Sequence, residues 1–178
     1  MPLINFEFKA RASSLEEYIK QLENLNPRFV GEDTQIDTYF NVANGRLKIR
    51  EGNIENALIW YERGNTPNSK QSDILLYKHD PQSDLKDILA NSLGIKVVVS
   101  KKRKIYFVNN VKIHFDTIKE LGNFIEVEAI NEGGKFAIHS LQEQCAFYAD
   151  FFRIKSDDYI SASYSDLIMN KDEIAHQF

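Results

Sequence analysis

From residue 3 to residue 12 the chain alternates between apolar and polar side chains. Ile4, Phe6, Phe8 and Ala10 fall on one face of a strand, and Asn5, Glu7, Lys9 and Arg11 on the other. The period then changes. Leu15, Tyr18, Ile19, Leu22 and Leu25 step by three and four residues, as an amphipathic helix does. Ser13 or Ser14 caps it, each with a glutamate three residues on (Glu16, Glu17), and Asn26-Pro27 ends it. Strand-like segments follow at about 34–42, 45–51, 57–63 and 72–79, with Asn44-Gly45 as a tight turn between the first two. Gly64 to Ser69 reads as a polar loop. Asp80-Pro81 opens a second helix that passes through Leu85, Ile88 and Leu89 and stops near Gly94. Strands return at about 95–108, 111–117 and 123–131, with Asn109-Asn110 as a turn. Residues 135–152 form the clearest helix, with a stripe of Ile138, Leu141, Cys145, Tyr148 and Phe152. From about 157 a tail is expected, with a short segment from Tyr164 to Met169 and a polar, disordered end.

Most neighbouring strands have links of hairpin length, which implies antiparallel pairing. About eight such strands can close on themselves and remove their exposed edges. The expected class is α+β: an eight-stranded antiparallel barrel or tunnel with helices outside. No repeat or long Pro/Gly-rich linker divides the 178 residues, so one domain is expected over 1–178, with a core at about 3–169.

Composition narrows the partners. A hydrophobic fraction of 43% and a charged fraction of 27% are those of a globular protein. No apolar run approaches the roughly 20 residues of a membrane span, and the N-terminus has no secretion-signal pattern. A single cysteine, Cys145, cannot form an internal disulfide and fits a reducing, cytoplasmic setting. The net charge of −4 argues against general nucleic-acid binding, although it leaves room for an anionic small ligand.

The charged residues bring in chemistry through their phase. For one strand alone, a polar face turned to water is the ordinary outcome. Here the phase recurs: Arg46, Lys48 and Arg50 share a face, as do Lys101 and Arg103, then Lys112, His114 and Asp116, then Glu126 and Glu128, while Arg63 closes another strand. If these faces turn inward, bases and acids meet inside one tunnel, where charge is costly without a partner. A polyphosphate supplies anionic oxygens for arginine and lysine. Carboxylates suit the divalent cation that accompanies it.

The ordered segments Asn5-Phe6-Glu7-Phe8-Lys9, Asp37-Thr38-Tyr39-Phe40-Asn41, Asn44 to Arg50, Tyr61-Glu62-Arg63, Lys101-Lys102-Arg103, Ile113 to Asp116 and Leu121 to Glu128 resemble the CYTH superfamily of triphosphate-tunnel enzymes. The resemblance covers residues 4 to about 168 and is closest to the class IV adenylyl cyclase branch. It implies that Lys9, Lys48, Arg50, Arg63, Lys101 and Arg103 bind triphosphate oxygens, with Arg11 and Lys112 on the same faces. It implies that Glu7, Asp116, Glu126 and Glu128 bind Mg²⁺ or Mn²⁺ or order its waters. The family's opening Glu-x-Glu-x-Lys is broken at Asn5, a neutral and weaker metal ligand.

The expected function is metal-dependent processing of a triphosphate. Cyclisation of ATP to 3′,5′-cyclic AMP and pyrophosphate leads. Hydrolysis of tripolyphosphate, thiamine triphosphate or a nucleotide is the near alternative, and noncatalytic binding of polyphosphate or nucleotide a further one. No residue stands out as general base. A homodimer is expected by analogy with the cyclase branch. Trp60 and Cys145 read as packing residues.

Overall fold

A computed structural model describes residues 3–64 and 70–175; within these, the side chains of Leu3, Arg63 and residues 173–175 are left undescribed, and the expected loop at 65–69 lies outside. Eight strands and four helices follow in the order β1 (Leu3–Arg11), α1 (Leu15–Leu22), β2 (Arg28–Phe40), β3 (Arg46–Glu51), β4 (Ala57–Arg63), β5 (Lys70–Lys78), α2 (Leu85–Leu93), β6 (Ile95–Val108), β7 (Val111–Ile118), β8 (Gly122–Asn131), α3 (Ile138–Phe151) and α4 (Tyr164–Ala175). The strands close into an antiparallel ring in the order β1-β5-β4-β3-β2-β6-β7-β8. Register at the seam pairs Glu7 with Glu128 and Lys9 with Glu126, so the charged phases of β1 and β8 face the same way. No helix among the described residues is long and apolar enough to cross a membrane.

The ring's two faces bury different chemistry. On the outside, Phe6, Phe8 and Ala10 of β1, Val111, Ile113 and Phe115 of β7 and Ile125, Val127 and Ala129 of β8 pack against Leu22, Leu141, Cys145, Tyr148 and Phe152 from the α1 and α3 regions. Alternation therefore turns the polar residues of these three strands into the lumen. Tyr39, Ala57, Ile59, Tyr61, Val99, Ile118, Phe124, Ile160 and Tyr164 form a second buried cluster. Cys145 is the expected core thiol; burial raises it to about 12, keeping it protonated.

Four expectations change. β2 begins at Arg28, not 34, because its first residues pair only with β6 and are mostly exposed, leaving no apolar alternation to read. Residues 41–45, not a two-residue turn, link β2 to β3; Gly45 has φ 65° and lies so close to Trp60 that a Cβ would meet the indole at 2.7 Å. Asp80-Pro81 forms a turn ahead of α2, with the Gln82 amide donating to Asp80 Oδ1 at 2.9 Å, and the helix starts only at Leu85. The tail is structural: Ile160 N donates to Lys9 O at 2.9 Å, and α4 runs through Met169 to Ala175.

Candidate functional site

The lumen is a cavity of about 1050 Å³ lined by charged side chains from six strands. Of its lining, Lys78 is exposed and Glu55, Lys112 and Glu128 are half-buried, whereas Tyr39 and Tyr164 are buried.

Lys48, Arg50 and Lys101 converge on Asp37 of β2. Lys48 Nζ lies 2.8 Å and Lys101 Nζ 3.0 Å from Asp37 Oδ2. Arg50 grips the carboxylate with both Nε (2.8 Å) and Nη2 (2.9 Å). Burial alone would raise the Asp37 carboxyl, but Arg50, Lys101 and Lys48 together hold it well below the usual range. The cations outnumber this anion. Burial, Arg103 and Arg50 push Lys101 well below an ordinary lysine, and Asp37 only partly offsets them.

Across the lumen, β7, β8 and β1 gather acids. His114 Nδ1 is 3.4 Å from Glu126 Oε2 and 3.7 Å from Glu128 Oε1. One ligating atom from each of His114, Glu126 and Glu128 lies within 4.8 Å of the others. Glu7 pairs in register with Glu128. Burial and the neighbouring Glu126 raise the Glu128 carboxyl to about 7. Burial and Arg103 lower His114 to about 3, so its ring is neutral. With Nδ1–H donating to Glu126, the buried Nε2 keeps a lone pair without a hydrogen-bond partner; Asn5 Oδ1 is likewise buried and unpartnered. One carboxyl held above its ordinary range, beside an orphaned amide oxygen and an orphaned imidazole nitrogen, makes a donor set that a divalent cation would fill.

Arg103 bridges the two groups. Its Nε and Nη2 each lie 2.6 Å from an oxygen of Asp116, and Nη2 is 2.8 Å from Glu126 Oε2. The Tyr164 hydroxyl donates to Asp116 Oδ2 at 2.7 Å. Burial would raise Asp116, but Arg103 brings it to about 2.

Of the residues named from the sequence, the structure brings Glu7, Lys9, Lys48, Arg50, Lys101, Arg103, Lys112, Glu126 and Glu128 to the cavity lining. Lys9 Nζ lies 3.4 Å from Glu126 Oε1 and 3.8 Å from the centre of the Tyr164 ring. Three more stand apart from that lining or fall outside the described side chains. Arg11 does not line the cavity; it is exposed at the far end of β1, 5.3 Å over the Phe124 ring. Asp116 is tied to Arg103 and Tyr164, and His114 lies beside Glu126 and Glu128. Arg63 ends β4 opposite Ser72, and its side chain lies outside the described residues.

Sequence reasoning gave no role to Asp33, Gln35, Glu55, Lys70 or Tyr164. Asp33, Gln35 and Asp37 share a phase on β2, so alternation could have found them. Glu55 sits in a loop and Tyr164 beyond the last strand, where no period reports direction. Trp60, read as packing, donates its Nε1–H to Asn44 O at 3.1 Å and steadies the β2–β3 loop.

A family model described as the CYTH domain matches residues 3–164. A protein of Methanocaldococcus jannaschii, provisionally named an adenylate cyclase, is 26% identical over 93% of this chain and 98% of its own. The adenylate cyclase CyaB of Aeromonas hydrophila is 28% identical over 71% of this chain and 69% of its own. Among solved structures, a conserved hypothetical protein of Pyrococcus furiosus superposes with a TM-score of 0.76 at 22% identity, covering 92% of this chain and 99% of that one. A Hippeastrum protein provisionally named an adenylyl cyclase, and described as having a dominant triphosphatase activity, superposes with a TM-score of 0.54 at 13% identity, over 95% and 96% of the two chains. At these identities the two superpositions establish a shared fold.

Proposed function

This chain belongs to the CYTH domain family, and from that premise we propose that it cyclises ATP to 3′,5′-cyclic AMP and pyrophosphate. CYTH family members are adenylyl cyclases or triphosphatases and act on triphosphates. The observation that carries the reading is a paired mismatch inside one cavity, where cations converge on Asp37 and carboxylates gather at His114: burial beside Arg103 and Arg50 pushes Lys101 below its ordinary range, and burial beside Glu126 pushes Glu128 up to about 7. A triphosphate and its divalent cation together supply a partner for each. The names of the two curated relatives favour the cyclase.

In this reading Lys48, Arg50 and Lys101 bind phosphate oxygens, and Lys9 and Arg103 orient the chain of phosphates between the two walls. Asp37 holds three of the cations in place and so fixes where the anion sits. Glu126, Glu128 and His114 are the residues that would hold the cation, with Asn5 Oδ1 and Glu7 beside them. Bound there, Mg²⁺ or Mn²⁺ supplies Lewis-acid stabilisation of the leaving pyrophosphate. Tyr164 and the apolar cluster around it keep water from the inner end. A homodimer and a cytoplasmic location complete the proposal.

A second reading, hydrolysis at the terminal phosphorus, uses the same binding residues. The triphosphatase activity described for the Hippeastrum structural neighbour favours it. The test is incubation with ATP, tripolyphosphate or thiamine triphosphate, each with Mg²⁺ or Mn²⁺. Cyclic AMP with pyrophosphate is the expected product. Orthophosphate would select the hydrolase, and binding without turnover would leave a noncatalytic module.

A further inference from the structure

Glu55 lies in the loop between β3 and β4 and lines the cavity, its carboxylate turned to lumen side chains. Oε2 accepts from Arg50 Nη1 at 3.0 Å and from Gln35 Nε2 at 3.2 Å, and Oε1 accepts from the Lys112 ammonium. Two cations and an amide around one pair of anionic oxygens form the kind of seat a phosphoryl group takes. Burial would raise this carboxyl, but Lys112 and Arg50 hold it well below the usual range, so the seat is filled by a full negative charge.

The loop is built to deliver that charge. Asp33, fully buried, accepts from the backbone amides of Ile54 at 3.0 Å and Glu55 at 2.9 Å. Gly52 lies so close that a Cβ there would meet Asp33 Oδ1 at 2.6 Å. Asn56 closes the loop, exchanging side-chain hydrogen bonds of 3.0 Å with the Gly52 amide and carbonyl. The backbone of Glu55 is therefore fixed, while its side chain is 26% exposed and has solvent to turn into. Asp37 differs in both respects: it is 1% exposed and already satisfies Arg50 with two bonds. Arg50 keeps both bonds to Asp37 when Glu55 turns away.

We propose that Glu55 is a built-in competitor for the polyphosphate, its carboxylate occupying a phosphoryl seat between Arg50 and Lys112 that it vacates when a triphosphate binds. The proposal rests on the reading of the tunnel as a polyphosphate site. It makes Glu55 a specificity-determining residue: a ligand must carry enough charge to displace an anion already in place.

The test is calorimetric titration of the metal-free full-length chain with inorganic tripolyphosphate. Glu55→Gln, which keeps the side chain's size and removes its charge, should bind roughly ten- to hundredfold more tightly than wild type. Glu55→Ala should move in the same direction. Glu51→Gln removes a carboxylate from the same strand region, one that pairs outside the lumen with Lys86 at 2.6 Å, and should leave the affinity unchanged. Wild-type binding with Glu55→Gln equal to it or weaker would overturn the proposal. Equal tightening by Glu51→Gln would also overturn it, since net charge would then explain the gain. A wild-type chain that binds no tripolyphosphate would instead sink the reading of the tunnel itself.

Discussion

On one wall of the tunnel, made by β2, β3 and β6, cations crowd around Asp37; on the other, made by β1, β7 and β8, carboxylates crowd around His114. The first wall makes it costly to keep Lys101 charged, and the second makes it costly to keep Glu128 charged. Both costs come from burial together with like-charged neighbours, and both fall when the missing partner arrives. A protein selected for stability alone would pair these groups across the gap. Here Arg103 is the side chain that spans from the cation-rich strands to Asp116 and Glu126, and a cavity remains between the walls. The difference is what the proposed ligand would account for, an anion carrying its own cation.

Breaking the acidic wall should have the largest effect. Glu126→Ala or Glu128→Ala should lower metal-dependent turnover at least about a hundredfold. Product formation against Mg²⁺ or Mn²⁺ concentration measures this, and undiminished turnover would remove the wall from the chemistry. On the basic wall, Lys101→Met should weaken tripolyphosphate binding roughly tenfold or more while raising the melting temperature of the ligand-free protein, because a buried cation short of anions is lost. A fall in both quantities would mean that Lys101 is a structural ion pair. Asp37 offers a finer comparison. Its folded-state pKa lies well below the ordinary 3.8, so its stabilising contribution is present above that pH and is lost as pH falls through the folded value. Thermal melts of wild type should therefore drop on the acid side, and Asp37→Asn should be less stable at neutral pH with a smaller acid drop. Equal drops in both proteins would assign the acid sensitivity to other carboxylates. The smallest effect belongs to Lys102→Ala: between Lys101 and Arg103 it points outward and is exposed, so activity should stay at the wild-type level.

The contrast between Lys101 and Lys102 also explains how much was legible before the fold was known. A period of two assigns a side, and on β1, β7 and β8 an apolar partner set identified which side lies under the helices. The ring, its strands and most of its lining follow from that rule. Partnership does not. Asp116 and His114 share a phase, and only the third dimension gives Asp116 to Arg103 and His114 to Glu126. Arg11 has the right phase but lies at the strand's end, where the lumen has given way to the Phe124 ring. Glu55 and Tyr164 come from a loop and from the segment after β8, where direction depends on packing rather than period. The first residues of β2 escaped notice because a strand paired on one side and exposed on its faces has no pattern to show.

The apolar cluster of Ile118, Phe124, Ile160 and Tyr164 has a kinetic consequence. If this cluster stops the passage at one end, the tunnel is a queue with a single door. If a phosphate tail goes in first, the fragment cut from it lies deepest and must wait for the rest of the molecule to leave. Products then depart in a fixed order, and the last to go is the one that contends with the next substrate for the same place.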